Sequence, residues 1–230
     1  MTDAKILLIP GLLCDETVWK PLLPALRGKA EVADLSTQDD LTIMAENCLS
    51  AYPGPLRVAG HSMGARVAME MARISPDRIE KLALLDTGIH ALKEGEKPRR
   101  DEIVRFAYKD GMAALAERWL PGMVWEENRS RPEVMEPLKE MVEGKTPELH
   151  ERQIRALVNR PDAALYLGQI TCPVLLVVGR QDAWSPVSQH EDMLRTLPSA
   201  RLEIIENAGH FAPVEQPDAV ASVLTEFLTE

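Results

Sequence analysis

The chain has 230 residues, of which 45% are hydrophobic and 27% charged, and its formal net charge is −10 at pH 7. These values suit one globular domain with a sizeable core, and the negative charge argues against a nucleic-acid partner. Because the sequence contains no long apolar span, signal-peptide pattern or metal-spaced cysteines, we expect a cytoplasmic protein without a membrane partner, with Cys14, Cys48 and Cys172 as free thiols.

Strand-like and helix-like segments alternate along the chain. Strands are predicted near residues 4–9, 31–34, 55–60, 80–86, 172–179 and 201–206. Helices are predicted near residues 17–27, 41–51, 63–75, 187–197 and 212–228. This alternation predicts an α/β fold with a mostly parallel sheet and helices on both faces.

Residues 88–165 interrupt the alternation with a charged, proline-punctuated pattern that predicts about four short helices and no strand. Because this segment lies between two predicted strands, we expect it to project over the carboxyl edge of the sheet. The predicted organisation is therefore a core of residues 1–87 and 166–230 with a helical lid at 88–165. The lid segment carries 14 Lys and Arg against 15 Asp and Glu, so it is relatively basic beside an acidic core.

A serine lies at the centre of Gly60-His61-Ser62-Met63-Gly64, which has the G-x-S-x-G pattern of a nucleophile elbow. An apolar strand-like run precedes the pentapeptide, and an amphipathic helical pattern follows it. Such a strand-turn-helix holds the serine hydroxyl at the edge of a sheet, beside a helix N-terminus that favours negative charge. Ser62 is therefore the candidate nucleophile, and a glycine-rich turn with a solvent-exposed serine is the alternative.

A serine hydroxyl becomes a useful nucleophile when a histidine accepts its proton. His210 follows the predicted strand at 201–206 and Gly209, so it lies at a strand end, where α/β sites are built. His61 is interpreted as a wall residue of the elbow. The other three histidines lie in polar helical or loop contexts: His90, His150 and His190.

The histidine needs a carboxylate that fixes its tautomer, and Asp182 is the best candidate. It follows the apolar run ending at Gly179, which is typical of a buried parallel strand. Asp182 is therefore expected at the same edge of the sheet as Ser62. Asp86 and Asp34 also follow strand-like segments and are the competing carboxylates.

Hydrolysis through a tetrahedral intermediate also requires two backbone N–H groups that bind the oxyanion. Met63, directly after the serine, supplies the first. The loop after the strand at 4–9 supplies the second, which we assign to Leu12; Pro10 has no N–H, which narrows the choice within the loop.

Four motifs carry a family resemblance: Pro10-Gly11-Leu12-Leu13, the elbow at 60–64, Gly179-Arg180-Gln181-Asp182 and Gly209-His210. Together they resemble the α/β-hydrolase superfamily, and within it the small bacterial esterases and C–C hydrolases with a helical lid. The resemblance implies an α/β-hydrolase fold and a Ser-His-Asp triad. Two departures are Pro10-Gly11, where the family usually has His-Gly, and Ala65, where a second glycine is usual.

The segment Ser62-Met63-Gly64-Ala65-Arg66 also resembles the elbow of the 2-succinyl-6-hydroxy-2,4-cyclohexadiene-1-carboxylate (SHCHC) synthases. In that family an arginine four residues after the serine helps to bind substrate carboxylates, and Arg66 occupies this position. The alternative for Arg66 is a residue on the helix surface.

The candidate substrate-binding residues are Leu13, His61, Arg66, Trp119, Met123, Trp125, Trp184 and Phe211. For the aromatic and methionine side chains of the lid, the alternative is a role in the small core of the lid itself.

We expect a serine hydrolase that cleaves a carboxylic ester of a small acyl substrate through an acyl-enzyme intermediate, with no metal or organic cofactor. The same triad also serves C–C bond, thioester, lactone and amide hydrolysis, and the SHCHC-synthase resemblance implies a lyase instead. A non-catalytic ligand receptor is a third alternative. The small-molecule substrate and the oligomeric state stay open.

Overall fold

A computed structural model describes residues 4–26 and 28–229 and contains a six-stranded sheet. The strands are β1 (Lys5–Ile9), β2 (Ala30–Val32), β3 (Leu56–His61), β4 (Ile79–Leu85), β5 (Val174–Gly179) and β6 (Ala200–Ile205). They lie in the order β2-β1-β3-β4-β5-β6, and each neighbouring pair is parallel. The predicted parallel α/β architecture is confirmed.

The helices follow the strands in alternation over most of the chain. They are α1 (Leu41–Ala51), α2 (Met63–Ile74), α3 (Glu96–Trp119), α4 (Pro132–Glu143), α5 (Pro147–Val158), α6 (Val187–Thr196), α7 (Ala212–Glu215) and α8 (Pro217–Thr229). The helix predicted at 212–228 is thus divided into α7 and α8. The division occurs because Pro217 disfavours a helical conformation at the preceding Gln216, whose φ is −135°.

The helix predicted near 17–27 is not formed over residues 17–26. Residue 27 lies outside the described residues, as do residues 1–3 and 230 at the ends of the predicted core. A single 3-10 turn at Glu16–Val18 is followed by non-helical turns. Pro21 and Pro24 cannot donate the backbone hydrogen bonds of a continuous helix. The apolar spacing that suggested a helix instead buries side chains such as Trp19 against the sheet.

The sheet is buried on both faces. Along β1, Leu7 and Ile9 face the cluster formed with α1, α2 and α6, whereas Ile6 and Leu8 face the cluster formed with the 19–26 turns and α8. This alternation explains why the strands read as continuous apolar runs rather than as amphipathic ones.

The segment 88–165 contains α3, α4 and α5 and no strand. Gly111, at φ 86° and ψ 169°, is not helical and divides α3 into two helical pieces at a kink. The apolar cluster of this segment also includes Leu13, Val18 and Phe211, which lie in the loops after β1 and β6. The helices therefore pack over the carboxyl edge of the sheet. Over the two described ranges, none of the helices has both the length and the apolar character that a membrane span requires.

Candidate active site

Ser62 lies in a sharp turn between β3 and α2, with φ 55° and ψ −114°. A positive φ is uncommon for a residue other than glycine, and it marks a backbone conformation that the surrounding structure holds in place. Two glycines allow the backbone to pack closely here. A Cβ atom on Gly64 would lie 2.2 Å from the carbonyl oxygen of Ile9, and one on Gly60 would lie 2.4 Å from the carbonyl oxygen of Gly64. These contacts press the first turn of α2 against the end of β1 and leave Ser62 at the edge of the sheet.

Ser62, His210 and Asp182 form a chain of short contacts. The Oγ of Ser62 lies 2.8 Å from Nε2 of His210, and Nδ1 of His210 lies 2.8 Å from Oδ2 of Asp182. The His210 and Asp182 side chains are buried. The three side chains come from the ends of β3, β5 and β6, so the parallel sheet brings them together at one edge.

The electrostatics of Asp182 determine the tautomer of His210. Burial acts to raise the pKa of Asp182, but the charge and hydrogen bond of His210, with the N–H groups of Ser185 and Trp184, lower it overall. An ionised carboxylate only accepts hydrogen bonds, so Nδ1 of His210 carries the proton and donates it. In neutral His210, Nε2 is then free to accept the hydroxyl proton of Ser62.

The competing carboxylates occupy different environments. Asp86 is fully buried, and its Oδ1 accepts a hydrogen bond from the N–H of Gly179 at 2.9 Å. Burial first, and then the charge of Asp182, raise the pKa of Asp86 well above its usual range. Asp34 is exposed and its Oδ1 accepts a hydrogen bond from the N–H of Ser36. Neither takes the position that Asp182 has beside the imidazole.

The backbone of His210 is held on both sides. Its N–H donates to the carbonyl of Met123 at 2.7 Å, and Nε2 of His61 lies 2.7 Å from its carbonyl oxygen. Burial, with a smaller effect from His210, lowers the pKa of His61 to about 3. His61 is therefore neutral and donates its Nε2–H to the His210 carbonyl. The wall role predicted for His61 thus includes a support for the His210 loop.

A buried carboxylate, which the sequence analysis missed, also organises the His210 loop. Oε1 of Glu215 accepts the N–H groups of Gly209 and Phe211 at 2.9 and 3.2 Å. Its Oε2 accepts the N–H of Trp125 and the side-chain amide of Asn128 at 3.0 and 2.9 Å. Glu215 thus ties the loop after β6 to the 88–165 segment. No local sequence motif signals this role, since it depends on contacts between distant parts of the chain.

The two predicted oxyanion donors lie next to Ser62 in the same cavity. Met63 is the first residue of α2, so its N–H has no acceptor within the helix. Leu12 lines the cavity, and its N–H donates to no protein acceptor in residues 4–26 and 28–229. The next residue, Leu13, has φ 57°, and its N–H donates to Oε1 of Gln153 at 2.8 Å.

A cavity of about 520 Å³ opens over Ser62 and His210. The predicted residues that line it are Leu12, His61, Met63, Arg66, Trp119, Met123, Trp184 and Phe211. Trp184 is 55% exposed and lies at the mouth. The volume is in the range of small-molecule sites.

Two predicted substrate-binding residues, Leu13 and Trp125, do not line this cavity. The side chain of Leu13 is buried in the apolar cluster of the 88–165 segment. Trp125 contributes its N–H to Glu215 and lies outside the lining.

The cavity contains ionisable residues that the sequence analysis did not assign to it, including two histidines that are neutral because burial lowers the pKa of each to about 4. The ionisable residues are His90, Lys93, Glu96, Arg99, Arg100, His150 and Arg160. Their signal in the sequence was the relative basicity of the 88–165 segment, but a count of charges does not say which side chains face inward. Arg66 is 9% exposed and lines the cavity, so it is not the helix-surface residue that the alternative required.

The positive charges of the cavity are only partly compensated. Glu96 pairs with Arg160 and with Arg100, each at 2.7 Å. Arg66 instead donates to the backbone carbonyl of His90 at 3.2 Å. Burial first, and then the charges of Arg160 and Arg100, lower the pKa of Arg66 to about 9. The lining therefore keeps an excess of cations around Arg66.

The chain is similar to known proteins in both sequence and structure. A 26% identical relative is the pimeloyl-[acyl-carrier protein] methyl ester esterase of Photobacterium profundum, with 98% of this chain and 94% of the relative aligned. A Bacillus subtilis protein with the provisional name SHCHC synthase is 29% identical to this chain. The alignment covers 76% of this chain and 66% of that relative's length.

Among solved structures, the malate-bound thermophilic esterase of Thermogutta terrifontis superposes with a TM-score of 0.89 at 30% identity, covering 99% of this chain and 90% of the esterase. The family model described as "Alpha/beta hydrolase family" matches residues 6–223. The chain therefore belongs to the alpha/beta hydrolase family.

Proposed function

We propose that the protein is a serine hydrolase that cleaves a carboxylic ester of a small acyl substrate, with Ser62, His210 and Asp182 as the catalytic triad. The observation that carries this proposal is the pair of 2.8 Å contacts that joins the three side chains in the order hydroxyl, imidazole, carboxylate. The esterases among the related proteins support the same chemistry.

In the proposed reaction, Oγ of Ser62 attacks the ester carbonyl carbon while its proton passes to Nε2 of His210. The N–H groups of Leu12 and Met63 bind the oxyanion of the tetrahedral intermediate. The C–O bond then breaks, and His210 returns the proton to the leaving alcohol. Water then attacks the acyl-serine as His210 takes its proton. The acyl–Oγ bond breaks, His210 returns the proton to Oγ of Ser62, and the acid is released.

We further propose that residues 88–165 act as the lid over this site. The proposal is supported by the side chains of Trp119, Met123 and Ile154, which line the cavity above Ser62. Because these side chains come from three different parts of the segment, the lid determines the shape of the acyl pocket.

The charge of the cavity favours an acyl chain that carries a carboxylate. Five Lys and Arg side chains line the cavity against one carboxylate, that of Glu96, which is already paired twice. Arg66 lies at the start of α2, only four residues from the nucleophile. We therefore propose monoesters of small dicarboxylic acids as the preferred substrates.

The experiment that tests the triad compares Ser62→Ala with the wild-type protein on a p-nitrophenyl ester. We expect kcat to fall by at least about 10⁴-fold, because the remaining groups provide only binding and oxyanion stabilisation. A fluorophosphonate probe should label the wild type at Ser62 and leave the variant unlabelled. A folded Ser62→Ala variant, judged by circular dichroism, that keeps wild-type turnover would contradict the proposal.

The substrate class is tested with Arg66→Met on two p-nitrophenyl esters of equal chain length, one neutral and one ending in a carboxylate. We expect kcat/KM for the anionic ester to fall about 10- to 100-fold and that for the neutral ester to change less than about threefold. Arg155→Met is the matched control, because Arg155 lies on α5 outside the cavity, paired with Asp39. Equal losses on both esters would argue against carboxylate recognition.

A second candidate is a lyase of the SHCHC-synthase type, in which Ser62 and His210 abstract a proton and form no acyl-enzyme. The buried Arg66 and the Bacillus subtilis relative favour this candidate. Rapid quenching followed by mass spectrometry separates the two. An acyl adduct on Ser62 during ester turnover supports the esterase, whereas elimination from a carboxylate-bearing substrate, with formation of a new double bond and no adduct, supports the lyase.

A further inference from the structure

A polar side chain of α5 reaches the loop that follows β1. Gln153 is 2% exposed, and its Oε1 accepts the N–H of Leu13 at 2.8 Å. Its Nε2 donates to the carbonyl of Leu35, in the loop after β2, at 3.3 Å. Both ends of one amide are thus used to join α5 to two neighbouring loops at the edge of the sheet.

The bond to Leu13 holds the Leu12–Leu13 peptide group, which adjoins the Gly11–Leu12 peptide group that carries the Leu12 N–H. Leu13 has φ 57°, a conformation that a leucine adopts only when its surroundings hold it there. The N–H of Leu13 is engaged by Gln153, whereas the N–H of Leu12 donates to no acceptor in the described part of the chain and lies beside the cavity. If Gln153 did not hold Leu13, a buried N–H would lose its partner and the loop would turn to find another.

We propose that Gln153 is a positioning residue for the oxyanion hole: a lid side chain that fixes the direction of the Leu12 N–H. This inference rests on the proposed function, because it assigns a role within the same hydrolytic site. Gln153 does not line the cavity, although His150, Ile154 and Leu157 of the same helix do. It therefore acts through Leu13 and not through contact with the substrate.

This arrangement makes a specific kinetic prediction. A residue that aims an oxyanion donor stabilises the tetrahedral state more than the bound ester, so its loss lowers kcat and leaves KM nearly unchanged. An alkylboronic acid, which forms a tetrahedral adduct with the serine oxygen, should lose affinity in parallel with kcat.

The test uses Gln153→Leu, which keeps the approximate volume and removes both polar atoms. We expect kcat on a neutral p-nitrophenyl ester to fall about 10- to 100-fold, less than or comparable to the loss of a whole oxyanion donor. KM should stay within about threefold, and the boronic-acid Ki should rise by about the same factor as kcat falls. Gln153→Met is judged by the same readouts if the leucine variant does not fold.

Arg152→Met is the matched control, because Arg152 is the preceding residue of α5 and its Nη2 donates to the carbonyl of Ser36, next to Leu35. It removes a tether between α5 and the loop after β2 without touching Leu13, so kcat should stay near the wild-type value. Equal kcat losses in Arg152→Met and Gln153→Leu would overturn the inference, as would an unchanged boronic-acid Ki.

The Ser62→Ala variant, measured in parallel, separates this inference from the proposed function. Full activity of Ser62→Ala overturns both, since there is then no serine-derived oxyanion to bind. Loss of activity in Ser62→Ala with wild-type kinetics in Gln153→Leu overturns only the role of Gln153.

Discussion

Two buried carboxylates, Asp182 and Asp86, lie at the ends of adjacent strands and differ in their hydrogen bonds. Asp182 accepts two backbone N–H groups on one oxygen and the imidazole of His210 on the other. Asp86 accepts the N–H of Gly179, and its second oxygen has no hydrogen-bond partner among the described residues. Their pKa values are displaced in opposite directions. Burial and then the charge of Asp182 raise the pKa of Asp86, whereas for Asp182 burial is outweighed by the charge and hydrogen bond of His210, which lower the pKa.

This difference predicts unequal effects of the same substitution. Asp182→Asn removes the charge that fixes the tautomer of His210, and we expect kcat to fall about 10³- to 10⁴-fold. Asp86→Asn replaces a carboxyl of raised pKa with a neutral side chain of the same size, and we expect kcat to change less than about tenfold. Ester hydrolysis at neutral pH measures both. A larger loss in Asp86→Asn than in Asp182→Asn would show that the acid of the triad was assigned to the wrong residue.

At the residue scale, the sequence predicts side chains that belong to local motifs. Ser62, Asp182 and His210 each follow a recognisable strand, and the parallel sheet brings those strand ends together. Gln153 and Glu215 have no such signal, because each binds a partner far away in the chain, Leu13 at 140 residues from Gln153 and Asn128 at 87 residues from Glu215. Arg66 was identified by its position in the elbow, but only its packing distinguishes a cavity residue from a surface one.

At the scale of elements, the close approach of α2 to β1 builds the elbow. The first turn of α2 lies so near the end of β1 that Gly64 has no space for a methyl group. This contact sets the direction of the helix N-terminus, and hence of the Met63 N–H, relative to the loop after β1, which we propose to supply the second oxyanion donor. The elbow is therefore a property of two elements rather than of one pentapeptide.

Gly64→Ala should push these elements apart. Because the added carbon meets backbone atoms of Ile9 and Pro10, which cannot move by a rotamer change, we expect the free energy of unfolding to fall by more than about 2 kcal/mol. Urea unfolding followed by circular dichroism measures the change. Gly122→Ala is the control, since an added Cβ there meets no atom within 4 Å, and its stability should be unaltered. Equal stabilities of the two variants would refute this interpretation of the elbow.

The sequence predicted most elements because apolar periodicity reports burial, which is a local pattern. It failed at 17–27 for the same reason, since the apolar spacing there is helical but Pro21 and Pro24 prevent a helix. The bend of α3 at Gly111 was also missed. A glycine within a charged helical pattern does not reveal by itself whether its φ is positive.

At the scale of the whole molecule, one buried arginine joins the two ends of the proposed lid. Arg160, just after α5, donates to the carbonyls of His90 and Ala91, and it pairs with Glu96 at the start of α3. Burial acts to raise the pKa of Glu96, but its bonds to Arg160, the N–H of Lys93 and Arg100 lower it to about 2. A charge-assisted contact thus joins the first and last parts of the proposed lid.

This pKa predicts how stability depends on pH. A carboxyl whose pKa is about 2 when folded, against a usual value of 4.5, stabilises the fold above pH 4.5, and this contribution is lost as the pH falls towards 2. Glu96→Gln lacks the contribution, so the stability difference from wild type should be largest near neutral pH and shrink steadily below pH 4.5. Urea unfolding at several pH values measures this difference. Glu94→Gln, an exposed change of the same charge, should not reproduce it; if it does, the Glu96 contact is not the cause.

The hydrogen bond from the His210 N–H to the Met123 carbonyl, at 2.7 Å, restricts the movement of residues 123–128 away from the His210 loop. Glu215 reinforces it by holding Trp125 and Asn128 to the same loop. A wide swing of residues 123–128 would carry the imidazole out of register with the hydroxyl. We therefore expect substrates to enter past Trp184, which lines the cavity and is 55% exposed, rather than through a movement of residues 123–128.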